Sequence, residues 1–340
     1  MKRWMIAAGS TSLDGMVMQE VPRPEPGAGE VLVKVDSVSL NARDLLLLHG
    51  TFGVSPRDFV PVSDGAGEIV AVGAGVDEWV VGDKVTGILY RAWIDGPPTQ
   101  GQGWGLGSPD EDGMLAEYVV LRAERVAAAP KTLTLEEAAC IPCAALTAWT
   151  ALNGDRPYRN PVRKGDKVLA TGTGTVALFS VLFAKAVGAT VVVTTSRDSK
   201  SSRIRALGAS DVINYKTHSN WGEVAFERFE GFQRVVNAGG AGELDQSIAA
   251  LAPSGEIALM GLYTFASTPP DLVTLMMKAA SIRGLSVGSA MAHKDMVDFI
   301  DTHGIKPPIA KVFAMSDAPA AYESAASGEP FGKVVIRVAE

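Results

Sequence analysis

The spacing of apolar and polar positions changes about 130 residues into the chain. Before that point, short apolar runs alternate with polar residues and are separated by glycine and proline, as at 31–35, 67–72 and 115–121. Short alternating segments between turn residues are typical of strands in a barrel or sandwich. The stretch 95–112 is rich in Gly, Pro and Asp and is predicted to be a long surface loop.

Beyond Thr134, a predicted helix N-cap, apolar runs and helical patterns take turns. The pattern predicts strands at 168–170, 190–195, 212–213, 234–236, 256–260 and 282–285, and helices at 176–187, 200–207, 244–251 and 272–279. Such alternation indicates a parallel, doubly wound sheet. A helix at 296–302 and a final strand at 333–338 complete the prediction.

A glycine-rich turn follows the strand predicted at 168–170. Gly172 is expected to form the tight turn, and Gly174 is expected to let the backbone approach a pyrophosphate. The next helix begins at Val176, directly after Thr175, and its free N–H groups favour an anion, while Ala177 is small enough for close helix–strand packing. This G-x-G-x-x-A pattern, set between a strand and a helix, predicts a dinucleotide site.

The end of the next strand indicates which dinucleotide binds. An NAD-preferring site places a carboxylate there, but this chain has Thr195, Ser196 and Arg197. Ser196, Arg197 and Lys200 are expected to hold a 2′-phosphate, which predicts NADPH, with NADH still possible. Two observations keep the alternative open: Asp198 would oppose a phosphate, and the two cations would also suit a solvated surface.

Bulk properties narrow the class of protein. A chain of 340 residues predicts two domains. The net charge of −7, without a basic stripe, argues against nucleic acid or an anionic membrane as partner, and no apolar run is long enough to span a bilayer. The two cysteines lie close together, which favours a reducing compartment and predicts a cytoplasmic protein.

Ordered segments along the chain resemble the zinc-independent quinone-oxidoreductase-like branch of the medium-chain dehydrogenase/reductase superfamily. They are 24–33, 39–44, 61–67, 113–118, 139–148, 207–215 and 332–335. The resemblance implies an α/β protein with a discontinuous GroES-like β-rich catalytic domain, 1–133 and 286–340, around a Rossmann NAD(P)-binding domain, 134–285. It also implies that the active site lies in the cleft between the domains, and that the protein is a homodimer joined near 282–289.

The resemblance also bears on metal. Where zinc-dependent relatives carry a Cys and a Gly-His-Glu, this chain has Asn41 and Ser63-Asp64, and only Cys143 matches a ligand. Catalytic zinc needs three protein ligands from Cys, His, Asp or Glu. We therefore predict no metal, with Cys143 as a packed small residue beside the cofactor.

The expected activity is zinc-independent, NADPH-dependent hydride transfer to a quinone or an α,β-unsaturated carbonyl compound. The resemblance implies Asn41, Asp44, Asp64 and Thr147 as catalytic-site residues, although Asp44 and Asp64 would also suit structural roles at turn amides. Its further cofactor contacts are Tyr215, Asn237, Gly261, Leu262, Gly288, Ser289 and Lys333. Two alternatives remain: a zinc-free NAD(P)-dependent alcohol or aldehyde dehydrogenase, and a catalytically silent nucleotide-binding protein.

Overall fold

The computed structural model describes residues 1–98, 102–157 and 159–339. Packing divides the chain into two units: Met1–Ala144 with Ser289–Glu340 (the β-rich unit), and Ala145–Gly288 (the nucleotide unit). The sequence placed the boundaries about eleven residues earlier at the first junction and three earlier at the second.

Strands and helices are numbered here in chain order. The strands are β1 (Lys2–Ile6), β2 (Met16–Glu20), β3 (Glu30–Ser39), β4 (Asp64–Val72), β5 (Lys84–Gly87), β6 (Tyr118–Arg122), β7 (Val126–Ala128), β8 (Lys167–Ala170), β9 (Thr190–Thr195), β10 (Asp211–Asn214), β11 (Phe232–Asn237), β12 (Leu251–Leu259), β13 (Ser281–Gly284), β14 (Ile309–Ala314) and β15 (Lys333–Arg337). The α-helices are α1 (Ala42–Leu48), α2 (Leu135–Ala138), α3 (Leu146–Asn153), α4 (Thr175–Ala186), α5 (Ser201–Leu207), α6 (Trp221–Phe229), α7 (Leu244–Ala250), α8 (Leu272–Met277), α9 (Ala290–His303) and α10 (Ala318–Ala326).

The main sheet of the β-rich unit runs in the order β14-β15-β3-β4-β5-β7, with β6 also paired to β3. Strand β3 is its centre, because the side chains of Val31, Val33, Val35 and Val38 are almost completely buried. Burial of one such side chain stabilises the fold by about 2 kcal/mol. Strands β15 and β4 flank β3 on either side, so the first residues of β4 and β15 come close to the end of β3.

The nucleotide unit contains a parallel sheet in the order β10-β9-β8-β11-β12-β13. The direction of winding reverses between β8 and β11, and ligands of such sheets bind at the carboxyl ends of the strands at this reversal. Thr171, directly after β8, bridges the two strands here: its N–H donates to Val236 O and its hydroxyl accepts from Ala238 N. The parallel, doubly wound sheet predicted from the sequence is confirmed.

Several elements differ from the sequence-based expectation. Helix α9 begins at Ala290, six residues before its predicted start, because the Ser289 hydroxyl caps it by accepting from Ala292 N. The sequence did not predict α1, α6, α10 or β14. In the predicted surface loop 95–112, residues 105–108 are buried, and residues 99–101 lie outside the described residues. Across the described ranges, the helices are too short or too polar to cross a membrane.

Candidate functional site

A buried polar cluster forms where β15, β3 and β4 meet. Asn41 follows β3, Asp64 begins β4 and Lys333 begins β15, and Leu40 N bonds to Val334 O across the junction. The Lys333 ammonium donates to Asn41 Oδ1 at 2.6 Å and lies 3.6 Å from Asp64 Oδ2. The side chains of Lys333 and Asp64 have no exposed surface. Asn41, Asp64 and Lys333 are called the Lys333 cluster below.

Asp64 is held by two further donors. The Ser63 hydroxyl donates to Asp64 Oδ1 at 2.9 Å, and the Cys143 amide donates to Oδ2 at 3.1 Å. Cys143 lies in a π-helical turn, Ile141–Ala145, of a kind that is frequent at functional sites. The backbone before Asp64 is also constrained, since the buried, β-branched Val62 has φ 73°. Such a conformation costs about 1–3 kcal/mol, so surrounding contacts must maintain it.

The Asn41 side chain has one partnered end and one unpartnered end. Its Oδ1 accepts from Lys333, whereas its Nδ2 is buried and has no hydrogen-bond partner. The residue as a whole is 7% exposed. A buried donor without a partner is costly, and each instance in a native protein calls for an explanation. An acceptor supplied by a ligand would satisfy this amide.

Asp44 lies one helical turn beyond Asn41. Its Oδ2 accepts from the Asn41 backbone N–H at 2.7 Å, while its buried Oδ1 has no hydrogen-bond partner. Burial raises the pKa of this carboxyl to about 6, against the lowering effect of Arg43, whose Nη1 is 3.8 Å from Oδ1. The hydroxyl of buried Tyr322 is also unpartnered, and burial, followed by the negative charge of Asp44, raises its pKa.

The donor groups here do not fit a zinc ion. The positions that the resemblance aligns with zinc ligands hold Asn41, Ser63 and Cys143. Burial raises the pKa of the Cys143 thiol to about 12, whereas a zinc ligand must be a thiolate. A cation, Lys333, already neutralises Asp64. No group of three or more metal-ligating side chains occurs among the described residues. Metal independence nevertheless stays a prediction.

In the nucleotide unit, the glycine-rich turn has open space where a phosphate would bind. A Cβ placed on Gly172 or Gly174 would meet no atom within 4 Å. Gly172 has φ 75°, a conformation that favours glycine, and its N–H donates to Thr194 Oγ1 at 2.9 Å. Gly174 precedes α4 without a side-chain cap, so the free N–H groups of this twelve-residue helix remain available to an anion. The turn therefore fits a dinucleotide pyrophosphate.

The residues predicted to hold the adenosine end lie at neighbouring strand ends. Thr195 and Asn214, the last residues of β9 and β10, pair in register, which places Ser196 and Arg197 beside Tyr215. Asp198 is turned toward Asn214, whose Nδ2 donates to Asp198 Oδ1 at 2.8 Å. This bond gives the carboxylate a neutral partner within the protein but leaves its charge in place, so the preference for a 2′-phosphate stays a prediction.

The remaining predicted cofactor contacts have different local surroundings. Asn237 is fully buried, and its amide bonds to both Gly240 backbone groups and to Ser247, so its side chain holds the turn after β11. Gly261 is close to that turn, since a Cβ placed on it would lie 2.3 Å from Ala238 O. Leu262 is 55% exposed. Gly288 is packed, Ser289 caps α9, and Thr147, Thr175 and Val176 are buried or half-buried. Their cofactor contacts stay predictions.

Sequence reasoning missed some members of the buried site. Lys333 was expected to contact the cofactor; its bond to Asn41 inside the β-rich unit was not foreseen, and the cofactor contact stays a prediction. Tyr322 and Ser63 were not singled out. The signal for Lys333 was its place in an otherwise apolar strand, KVVIR. A lysine flanked by buried residues needs an acceptor, but the sequence does not say which one.

A β-rich unit with a buried donor, together with a parallel-sheet unit whose glycine-rich turn fits a pyrophosphate, is a combination typical of nucleotide-dependent oxidoreductases. The chain matches the alcohol dehydrogenase GroES-like domain over residues 27–131 and the zinc-binding dehydrogenase domain over residues 175–302. It belongs to the medium-chain dehydrogenase/reductase superfamily. The superfamily and the GroES-like and Rossmann domains expected from the sequence are thereby confirmed.

Individual relatives span almost the whole chain. A zinc-type alcohol dehydrogenase-like protein of Schizosaccharomyces pombe is 37% identical over 99% of both chains. An acryloyl-coenzyme A reductase of Sulfurisphaera tokodaii is 28% identical, covering 95% of this chain and 96% of its own length. A crystal structure from Sinorhizobium meliloti 1021, described as that of an alcohol dehydrogenase, has a TM-score of 0.88 and 37% identity, and the match covers 99% of this chain and 100% of that one.

Proposed function

We propose that this protein is a zinc-independent, NADPH-dependent oxidoreductase that transfers hydride to a quinone or an α,β-unsaturated carbonyl compound. The observation that carries the proposal is the buried, unpartnered Nδ2 of Asn41 next to the Lys333 ammonium. Hydride addition to such substrates places negative charge on the carbonyl oxygen, and a fixed hydrogen-bond donor in a dry site stabilises that charge strongly.

The two units would divide the work. The turn at Gly172 and Gly174 binds the pyrophosphate, and the bound nicotinamide supplies the hydride. Asn41 Nδ2 donates to the substrate oxygen, and the Lys333 ammonium holds the other end of the amide. Asp44, with a pKa of about 6, keeps a proton at neutral pH in a fraction of molecules and is suited to return it to the reduced product.

The preference for NADPH rests on Arg197, Lys200 and Ser196 beyond β9, where no carboxylate ends the strand. A 2′-phosphate would form charge-assisted hydrogen bonds with the two cations. The Arg197→Ala and Lys200→Ala variants are therefore expected to raise the KM for NADPH and leave that for NADH unchanged. Equal kcat/KM for both cofactors in the unmodified protein, with no change in the variants, would contradict the preference.

The relatives favour two candidate reactions. The acryloyl group named in the Sulfurisphaera tokodaii reductase is an α,β-unsaturated acyl group, which suits the proposed substrate class. Other relatives are named alcohol dehydrogenases, which favours the second candidate, oxidation of simple alcohols with NAD(P)⁺. Without a zinc ion, the protein lacks the Lewis acid that acidifies an alcohol, so reduction of an activated carbon is the easier reaction.

One panel of assays separates these activities. Oxidation of NADPH and NADH is followed against 1,4-benzoquinone, 9,10-phenanthrenequinone, short enones and aldehydes, and reduction of NADP⁺ is followed with simple alcohols. We expect turnover of quinones or enones by protein without bound metal. Turnover of alcohols alone, or stoichiometric zinc in active protein, would overturn the proposal. NADPH binding without turnover would indicate a catalytically silent protein.

We propose that the protein forms a homodimer through the nucleotide unit. Strand β13 is at one edge of its sheet, and helix α8, which precedes it in the chain, exposes Leu272, Val273, Met276 and Met277, the last at 77%. Open edges and contiguous apolar surfaces need cover, and a second β13 would continue the sheet. Light scattering should give twice the chain mass of 35.6 kDa, and Met276→Lys with Met277→Lys should give monomers.

We also propose a cytoplasmic location for the protein, which was inferred from the sequence.

A further inference from the structure

We propose that Lys333 is a positioning residue for this reduction, because its ammonium fixes the direction of the Asn41 amide. The inference rests on the proposed function, in which Asn41 donates to the substrate oxygen. It assigns Lys333 a different role from the cofactor contact expected from sequence.

The direction of the amide follows from hydrogen-bond chemistry. A lysine ammonium has three donors and no acceptor, so the atom of Asn41 that faces it must be Oδ1. At 2.6 Å this is a short, charge-assisted bond. A flipped amide would bring two donors together and leave Oδ1 in the place of Nδ2. The donor that Asn41 offers is therefore set by Lys333.

The Asp44 backbone N–H also faces the Asn41 side chain in a capping box without forming a cap hydrogen bond, so the strong constraint on the amide comes from the ammonium. Asp44 accepts from the Asn41 backbone N–H rather than from its side chain, and Nδ2 has no partner in the protein. An asparagine side chain rotates between two nearly equivalent orientations unless hydrogen bonds choose one. Without the ammonium, the amide would lose its charge-assisted hydrogen bond at 2.6 Å.

The ammonium also changes the strength of the donor. Positive charge at Oδ1 withdraws electron density from the amide, and hydrogen bonds in series strengthen one another in a buried site. Asp64, 3.6 Å away, keeps the lysine from being an isolated buried charge, and is itself held by Ser63 and the Cys143 amide. Asp64 and Ser63 thus act through Lys333, not on the substrate.

A double-mutant cycle tests the coupling. Asn41→Ala and Lys333→Met are each expected to lower kcat about 100-fold on the best quinone or enone of the panel. If Lys333 acts through Asn41, the double variant will be no slower than Asn41→Ala alone, within about threefold. The dissociation constant of NADPH, measured by fluorescence, is expected to change less than threefold in every variant.

Controls guard against loss of folding. Lys333→Met leaves Asp64 without its cation, so the cycle is repeated with Asp64→Asn present throughout, which removes the unpaired charge. Asn41→Asp keeps an acceptor for Lys333 but lacks Nδ2, and it should fold normally and lose activity to the same extent as Asn41→Ala. The matched lysine control is Lys311→Met, an exposed position on the adjacent strand β14; it should keep full activity.

Three results would overturn the inference: multiplicative losses in the double variant, a large rise in the NADPH dissociation constant for Lys333→Met, or unchanged kcat in that variant. The second would restore the cofactor contact. A readout independent of turnover is the side-chain amide signal of Asn41 in asparagine-labelled protein, assigned with Asn41→Ala, which Lys333→Met must shift. An unmodified protein inert on the whole panel would refute the proposed function, while this signal would still decide whether Lys333 orients the amide.

Discussion

Replacement of Asp44 by asparagine should destabilise the folded protein at low pH and stabilise it at high pH. The carboxyl is fully buried, and its pKa rises from 3.8 to about 6, chiefly because burial penalises the charge. At about 1.4 kcal/mol for each pKa unit, this corresponds to about 3 kcal/mol. The protonated form is favoured in the folded state, so this contribution to stability is complete below pH 3.8 and is lost as the pH rises through 6.

Asparagine at position 44 carries no charge at any pH. Its Oδ1 would still accept from the Asn41 N–H, while its Nδ2 would replace the unpartnered Oδ1 at a cost of about 1–3 kcal/mol. That cost does not depend on pH. We therefore expect the free energy of unfolding of Asp44→Asn, relative to the unmodified protein, to increase by about 2 kcal/mol between pH 4.5 and pH 8.

Urea unfolding at half-unit pH steps measures this difference directly. Asp77→Asn, which removes an exposed carboxylate, is the matched control. A constant difference for Asp44→Asn would show that its carboxyl titrates normally in the folded protein. The role of Asp44 as a proton carrier would then lose its basis.

Three other changes test separate parts of the structure. Burial lowers the pKa of His293 from 6.5 to about 4, so the unfolded chain takes up a proton first, and the protein should lose about 3 kcal/mol of stability as the pH falls from 6.5 to 4. His293→Gln should remove that loss in urea unfolding. An unchanged pH dependence of the unfolding free energy in this variant would show that another group causes the loss. Gly174→Val fills open space at an ordinary φ of −72°. The variant should keep the melting temperature of the protein but weaken NADPH binding at least tenfold in a titration. Unchanged affinity would show that the pyrophosphate does not bind at this turn. Trp104 stacks on Phe52 with ring centroids 4.3 Å apart, and Arg43, two residues after Asn41, donates to the Trp104 carbonyl oxygen. If the Trp104 ring stacks on large quinones, Trp104→Ala should raise the KM for 9,10-phenanthrenequinone about fivefold and that for 1,4-benzoquinone less. Equal changes in the two KM values would exclude this stacking role.

The sequence by itself determined the parallel sheet and its glycine-rich turn. Both are local consequences of chain order: apolar strands alternate with helical segments, and Gly172 and Gly174 follow a strand directly. In a parallel sheet every strand is separated from the next by a helix, so strand ends and helix starts can be located along the chain. The ordered motifs likewise sufficed for the superfamily.

Only the tertiary structure decided what the buried polar residues do. Lys333 and Asn41 are 292 positions apart, and they meet because β15 pairs with β3. The strained Val62 was similarly hidden, since the backbone N–H of the distant Met114 donates to its carbonyl oxygen. Pairing between strands far apart in the chain is not encoded in local periodicity, and a charged side chain reveals its role only when its partner is known. The sequence identified Asn41; the fold showed which end of its amide is free.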